Sequence, residues 1–484
     1  MSISSAMSNA LSGLTASSRA AEIVSNNVSN ALTEGYARRE LDLSTRNLGG
    51  EGGGVRVEGV DRMQNRTILA DRRLADAAAG NAEIRQQFHT RLEQSIGTAD
   101  RPGSLTARMD DLEAALIAAA SRPDSETRLQ DVLNSATGLA GHLRSVSDDV
   151  QAVRVAADQE IAAQVTALND ALDRIAKLNS SIIAQRSAGG DANALMDQRQ
   201  LLVDRVSAIV PVREVPREND QISLYTTGGA VLLEGNPVKI GFTAVMVITP
   251  DMTQDSGALS GLTLNDTPLR STEDGILGGG TLSALFAVRD ELAVSAQSQL
   301  DAVARDLIGR FAAPGVDPTL APGAPGLFTD GGTAFDPLDE VGLAARLQVN
   351  ALAVPAQGGA LWRLRDGLGA AAPGDAGSAA TLQALAGALA SGQVPASGNF
   401  LGMARSASGL AADLLSQVSG ARQSADDSSA FAGATQQTLA IALASDGVDT
   451  DAELQNLLMV EQAFAANARV ISALDEMLQQ LLGI

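Results

Sequence analysis

Apolar residues recur with the period of a helix over most of the chain and with a period of two over short stretches. Residues 3–28 carry a heptad-like stripe of Ile3, Met7, Ala10, Leu14, Ser17, Ala21, Val24 and Val28. Its alternating steps of four and three hold one seam on one side of a helix. The seam is thin, because Ala and Ser bury little area, and a lone helix of about 39 Å is marginal in water without a partner. A matching seam lies at the other end, where Leu457, Val460, Phe464, Asn467, Ile471, Leu474, Leu478 and Leu481 alternate three and four. Ahead of it "SDGVD" reads as a turn and Thr450-x-x-Glu453 as a capping box. Two arrangements fit these seams: the terminal helices pair as a coiled coil, or each packs on its own neighbouring domain.

Residues 41–60 are Gly-rich, with "VRVEGV" alternating as a strand. Residues 65–210 read as mostly helical. The piece from 128 to 185 is too long for one globular helix and suggests long antiparallel rods. From Pro211 the period shifts to two: "QISLYTTGGAVLLEG" reads as strand, turn and strand, and "GFTAVMVIT" as a further strand. Helices are predicted over 281–312 and from about 400 to 444, while 313–400 is rich in Gly, Pro and Ala and has no assignable period. The predicted fold is mainly α with β insertions. Its parts are a terminal coiled-coil core (1–45 with 445–484), a long helical rod domain (46–210, 276–312 and 400–444), a small β-rich inserted domain (211–275) and a variable Gly/Pro/Ala-rich outer region (313–399).

Composition narrows the chemistry. Of 484 residues 45% are hydrophobic but only 2% aromatic, so the cores rest on Ala, Leu, Val and Ile, which suits long packed helices. The formal charge is −22 with two lysines, Lys177 and Lys239, and no basic tract, which argues against nucleic-acid partners. The absence of cysteine excludes disulfides, zinc–thiolate sites and cysteine nucleophiles. His89 and His142, the only histidines, sit in no metal-binding spacing. "GGEGGG" at 49–54 lacks the Lys-Ser/Thr of a phosphate loop, and Asp449-x-Asp451-x-Glu453 lacks the glycine of a calcium loop. No constellation reads as catalytic, and no cofactor or metal is expected. The N-terminal stretch has no basic start and no continuous apolar core, so no secretory signal peptide is expected; with no run of 18 apolar residues, no membrane insertion is expected either.

One stretch has an order that a solvated loop would not need: "SNNVSNALTEGYARR", residues 25–39. Asparagine tolerates the left-handed conformation and satisfies free helix-end groups. Gly35 permits a tight reversal, and Tyr36 gives a buried anchor with a polar tip. The motif therefore ends the first helix and sets the angle at which the chain leaves it.

The same stretch resembles the N-terminal signature of the flagellar rod, hook and hook-associated axial proteins. Asn26, Asn27, Val28, Asn30, Thr33, Gly35, Tyr36 and Arg38 match it, while Leu32 stands where a polar residue is usual and Glu34 where Pro is common. "GVRVEGVDRMQNRTIL" resembles the segment after that signature, with Asn65 in place of an Asp. "DGVDTDAELQNLLMVEQAFAANARVISALDEMLQQLL" resembles the family's C-terminal signature. "DANALMDQRQLLVDRVSAIVPV" with "QISLYTTGGAVLLEG", and "GGTLSALFAVRDELAVSAQSQLDAVARDLIGRF", are similar to the family's hook–filament junction subunits. The resemblance covers roughly 1–312 and 400–484.

It implies an extracellular structural subunit of the bacterial flagellum, exported unfolded by the flagellar type III apparatus without a cleaved signal. Its implied partners are further copies in a ring around the flagellar axis, the hook protein on one side, the next hook-associated junction protein on the other, and an export chaperone at the C-terminal helix. A hook or rod subunit of the same family is the alternative, against which the long helical segment 86–210 argues.

Overall fold

The computed structural model describes residues 3–48, 51–400 and 402–483. In chain order its elements are α1 (Ile3–Asn30), β1 (Arg39–Leu48), β2 (Glu51–Arg62), α2 (Arg66–Ile96), α3 (Leu105–Ser121), α4 (Glu126–Ser187) and α5 (Asn193–Ile209). There follow β3 (Val212–Pro216), β4 (Ile222–Thr226), β5 (Val231–Glu234), β6 (Asn236–Pro237), β7 (Ile240–Gly241), β8 (Thr263–Leu264) and β9 (Thr267–Pro268). Then come α6 (Thr281–Ala287), α7 (Ala293–Ala312), β10 (Phe328–Asp330), α8 (Leu343–Arg346), β11 (Leu347–Val349), α9 (Trp362–Asp366), α10 (Ala380–Ala390), α11 (Ala407–Ser445) and α12 (Thr450–Leu482). The fold is mainly α with small β insertions.

The chain forms two compact units, one of residues 1–79, 166–240 and 432–484, the other of 80–165 and 241–431. In the first, β1 and β2 make an antiparallel hairpin in which Arg39 faces Arg62 and Leu41 faces Val60, with register shifts at Asp42/Leu43 and Thr45/Asn47. The hairpin lies on α1. Ser12 Oγ accepts from the Val55 amide at 3.1 Å and Asn9 Nδ2 donates to the Gly52 carbonyl at 3.2 Å. Gly54 has φ +88°, and a Cβ there would sit 2.2 Å from Ser12 Oγ, so this close approach needs glycine. The meander β3–β4–β5–β6 pairs Val212 with Thr226 and Leu224 with Leu233, and Ile222, Leu224, Leu232 and Leu233 are buried.

In the second unit the core runs through α3, α6 and α7. α6 and α7 are joined by a π turn at Val288–Leu292, which carries Arg289, a wholly buried cation. Its Nη1 meets Asp158 Oδ1 at 2.5 Å, and its guanidinium lies over the Phe286 ring at 4.8 Å. Arg310, also wholly buried, pairs with Asp306 and donates to the carbonyls of Ala388, Ser391 and Arg405. Buried charge costs heavily unless fully satisfied, and here the carbonyls come from the end of α10 and the irregular segment between α10 and α11. The 313–400 stretch is accordingly packed: Leu327, Phe328, Leu343, Leu347, Leu364 and Leu382 are buried in it, and β10 pairs with β11, Phe328 opposite Val349.

Three expectations need correction. The 128–185 piece is a single helix, α4, of 62 residues. No proline interrupts it, and its buried stripe continues from Leu129 through Leu143 and Leu168 to Ile182, so no point along it favours a turn. "GFTAVMVIT" is not a strand beyond Gly241. Arg154 and Asp158 of α4 occupy its backbone groups instead: Asp158 Oδ2 accepts from the Val245 amide at 2.7 Å, and Arg154 donates to the carbonyls of Thr249 and Met252. Finally, although no run of 18 apolar residues exists, the span 407–481 contains a window long and apolar enough, by length and composition, to cross a membrane; only 6% of that window is buried.

Candidate functional site

The turn that follows α1 is built around one side chain. Asn27 is 1% exposed. Its Oδ1 accepts from the Tyr36 hydroxyl at 2.8 Å and from the Arg39 amide at 3.0 Å, and its Nδ2 donates to the Arg39 carbonyl at 2.9 Å. The amide thus ties both the Tyr36 anchor and the first residue of β1 to the last turn of the helix. Asn30 donates to the Asn26 carbonyl at 2.9 Å and accepts from Thr33 Oγ1 at 3.3 Å. The Thr33 amide takes the Asn30 carbonyl and the Tyr36 amide takes the Thr33 carbonyl, so helix-end acceptors are satisfied within the motif. Gly35 has φ +76°. The Arg39 guanidinium lies over the Tyr36 ring at 4.9 Å, and burial raises the Tyr36 pKa above its ordinary value. Leu32 and Glu34, the two departures from the family signature, are both exposed.

α5 clamps this turn from outside. A Cβ on Gly35 would lie 2.6 Å from Leu201 Cγ, so Leu201 closes directly over the glycine. Asp197 bridges the two ends of the hairpin, with Arg39 Nη2 at 3.1 Å and Arg62 Nε at 2.7 Å. Gln200 Oε1 accepts from Gln64 Nε2 at 2.6 Å and from Arg62. Asn193 Nδ2 donates to the Val60 carbonyl at 2.9 Å, while Arg199 turns away to Asn179 Oδ1 and the Asp220 carbonyl. Sequence reasoning singled out the Asp-Gln-Arg stretch as a family marker and gave it no role. Asp197, Gln200 and Leu201 were missed as site residues because their partners lie about 135 to 165 positions earlier, a separation that periodicity cannot read.

The two terminal helices lie along each other. Of the N-terminal seam Val24 is buried and Ile3, Met7 and Leu14 are partly covered. Of the C-terminal seam Leu474 is buried; Leu457, Val460, Asn467, Ile471 and Leu478 are partly covered, and Phe464 and Leu481 are exposed. Asn467 sits opposite Gly13, where a Cβ would come within 2.7 Å of its Nδ2. That Nδ2 donates to the Ala463 carbonyl of its own helix at 3.0 Å. Arg38, the last matched residue of the hinge, reaches the other end of the chain: its Nε donates to Glu453 Oε1 at 2.6 Å, and Glu453 is 1% exposed. The expected capping box is therefore not formed. Asp449 is the N-cap, accepting from the amides of Asp451 and Ala452 at 2.9 and 3.2 Å. An aspartate caps as well as a threonine, which leaves Glu453 to the arginine.

Ordinary site chemistry is sparse. Among the described residues no group of three or more His, Asp or Glu is placed to hold a metal. Burial lowers the pKa of both histidines, and His142 Nε2 lies 3.2 Å from the Ile96 carbonyl.

Three family models match the chain in order. "Flagella basal body rod protein" matches residues 7–36, "Flagellar hook-associated protein FlgK helical domain" residues 89–314, and "Flagellar basal body rod FlgEFG protein C-terminal" residues 442–484. Among curated relatives, the flagellar hook-associated protein 1 of Escherichia coli (strain K12) is 25% identical over 311 residues, covering 59% of this chain and 56% of that protein. The protein of that name from Salmonella typhimurium is 27% identical over 244 residues, covering 49% and 44%. That from Bacillus subtilis is 22% identical over 279 residues, covering 53% and 55%. The chain thus spans about half the length of the curated relatives it matches. A solved structure, that of the flagellar hook junction protein FlgK from Burkholderia pseudomallei, overlaps 55% of this chain and 47% of its own at a TM-score of 0.45 and 22% identity. With the rod-type models at the two ends and the FlgK helical model between them, the chain is similar to flagellar axial proteins, and to the hook-associated protein 1 group among them.

Proposed function

We propose that this chain is a structural adaptor subunit at the junction of hook and filament. The observation that carries the reading is the closure of the two chain ends on one hinge: Asn27 fixes the departure of β1 from α1, and Arg38 ties that hinge to Glu453 at the head of α12. Both signature ends are thereby set as one piece, while α2 to α7 carry the helical region matched to FlgK. Hook and rod subunits share the terminal signatures, and it is this helical region that favours the junction over them.

The terminal pair is suited to assembly and not to solitary life. Leu11, Leu454, Leu458, Met459, Val470 and Met477 are all exposed on it, and exposed apolar surface on this scale marks an interaction face. On this reading α1 and α12 order fully only when neighbouring copies cover them, forming a ring in the flagellar axis with the hook protein below and the next hook-associated protein above. An export chaperone shields α12 beforehand, and the chain travels unfolded to an extracellular destination. No enzymatic step belongs to this role. Electron microscopy of a deletion strain tests it: the hook should remain, the filament should be lost and flagellin monomers shed. A normal filament in that strain would refute the junction role.

A further inference from the structure

α4 and α5 enclose a groove of about 400 Å³ in the first unit. Its floor is Leu178, Leu201 and Leu202, all partly covered, and its rim carries the exposed cations Arg174, Lys177 and Arg205. No carboxylate lines it. Acidic residues outnumber basic ones 57 to 35 in this chain. Yet among the described residues the charged groups of these three side chains take part in no ion pair or hydrogen bond. An apolar floor inside an unpaired cationic rim calls for a ligand that is apolar at its tip and acidic around it.

The second unit displays such a surface. Pro337–Asp339 form a tight 3₁₀ turn capped by Asp336, whose Oδ1 accepts from the Leu338 amide at 3.0 Å. Leu338 projects from it, 91% exposed, with Val341 also exposed beside it. Asp336 and Asp339 flank the leucine and are exposed too. The proline and the cap fix the turn in advance, so little conformational freedom remains to be lost on docking. A single exposed leucine needs no explanation; a leucine held on a fixed turn between two exposed carboxylates is the charge complement of the groove.

We propose that the groove receives the Leu338 turn of a second copy of this chain. Leu338 enters the leucine floor while Asp336 and Asp339 face Arg174, Lys177 and Arg205. Groove and turn are different surfaces of the molecule, so the contact is head-to-tail, and repetition gives a closed ring or a helical array. Leu201 is both floor of this groove and roof of Gly35; seating a neighbour's turn there bears on the hinge. The inference goes beyond the junction role and does not depend on it, since it concerns only how copies of the chain meet.

The chain lacks cysteine, so introduced thiols give a clean test. Full-length Ser181→Cys, at the edge of the groove, is mixed at high concentration with a differently tagged full-length Leu338→Cys and oxidised. The control partner is Met246→Cys, 89% exposed on an apolar loop of the same unit with no carboxylate within three residues of it. Mixed-tag dimers are expected with Leu338→Cys well above the control. Adding Arg174→Glu and Arg205→Glu to the groove partner should reduce them to the control level. A further Asp339→Arg on the turn partner, beside its thiol, should restore them. Leu338→Cys crosslinking no better than Met246→Cys, or a yield indifferent to the charge reversals, overturns the proposal. Loss of filaments in a deletion strain is read separately, so either idea can fail without the other.

Discussion

The hinge makes a quantitative demand at Gly35. Replacing it by alanine has two separable costs. The first is conformational: φ is +76°, and a side chain in the left-handed region costs about 1–2 kcal/mol. The second is steric: the new Cβ would lie 2.6 Å from Leu201 Cγ and 2.7 Å from its Cδ2, and overpacking of this kind costs about 1–3 kcal/mol. Leu201→Ala removes the atoms that are struck. Gly35→Ala should therefore cost about 2–5 kcal/mol in the natural background and only about 1–2 kcal/mol beside Leu201→Ala, a coupling of about 1–3 kcal/mol. Native-state hydrogen exchange at the Thr33 and Tyr36 amides, whose acceptors are the Asn30 and Thr33 carbonyls, reads the opening free energy of this turn. Gly35→Val should do the same more severely and disturb assembly while the second unit stays folded. Strict additivity of Gly35→Ala and Leu201→Ala would show that Leu201 does not close over the glycine, and normal filaments from Gly35→Val would show that the backbone angle is dispensable.

Further outcomes follow from neighbouring contacts. Asn27→Ala removes three hydrogen bonds at about 1 kcal/mol each, so exchange at the Arg39 amide should accelerate roughly a hundredfold, while amides of the β3–β6 sheet are unchanged. Arg38→Met leaves Glu453 buried without its cation and should cost about 3–5 kcal/mol; the double variant Arg38→Met/Glu453→Met should recover much of it in a thermal melt of the full chain. Burial pushes the Asp301 carboxyl up to about 6 against the donated Gly342, Ala344 and Gln297 bonds. The folded state therefore holds that proton more tightly than the unfolded chain, and stability from this group, about 3 kcal/mol, is present below pH 3.8 and lost as pH rises to about 6. Denaturant titrations across that window should show the slope, and Asp301→Asn should flatten it. At the helix crossing, Gly13→Leu should separate α1 from α12 because Asn467 already fills the space. Asn467→Leu, of similar shape, should leave the free monomer unchanged if its bond to Ala463 is all that the amide does; sedimentation of both variants distinguishes them.

The sequence alone determined what depends on neighbours along the chain. The period of apolar residues places α1 and α12, and turn chemistry ends α1 at the Asn-Asn…Gly-Tyr stretch, because helix ends and tight turns are satisfied by residues a few positions away. Only the tertiary structure decided what depends on distant partners. Asn27 could have faced solvent; its burial follows from β1 returning across it. The capping box read at Thr450 is replaced by an Asp449 cap, with Glu453 bound instead by Arg38 from 415 positions away. The 241–249 stretch has the alternation of a strand, yet Asp158 takes its Val245 amide and Arg154 its Thr249 carbonyl, and no ladder forms beyond Gly241. The Asp-Gln-Arg stretch acts through Arg39, Arg62 and Gly35, none of them near it in sequence. A long-range hydrogen bond leaves no period in the chain; it exists only once packing has removed the water that would otherwise satisfy both groups.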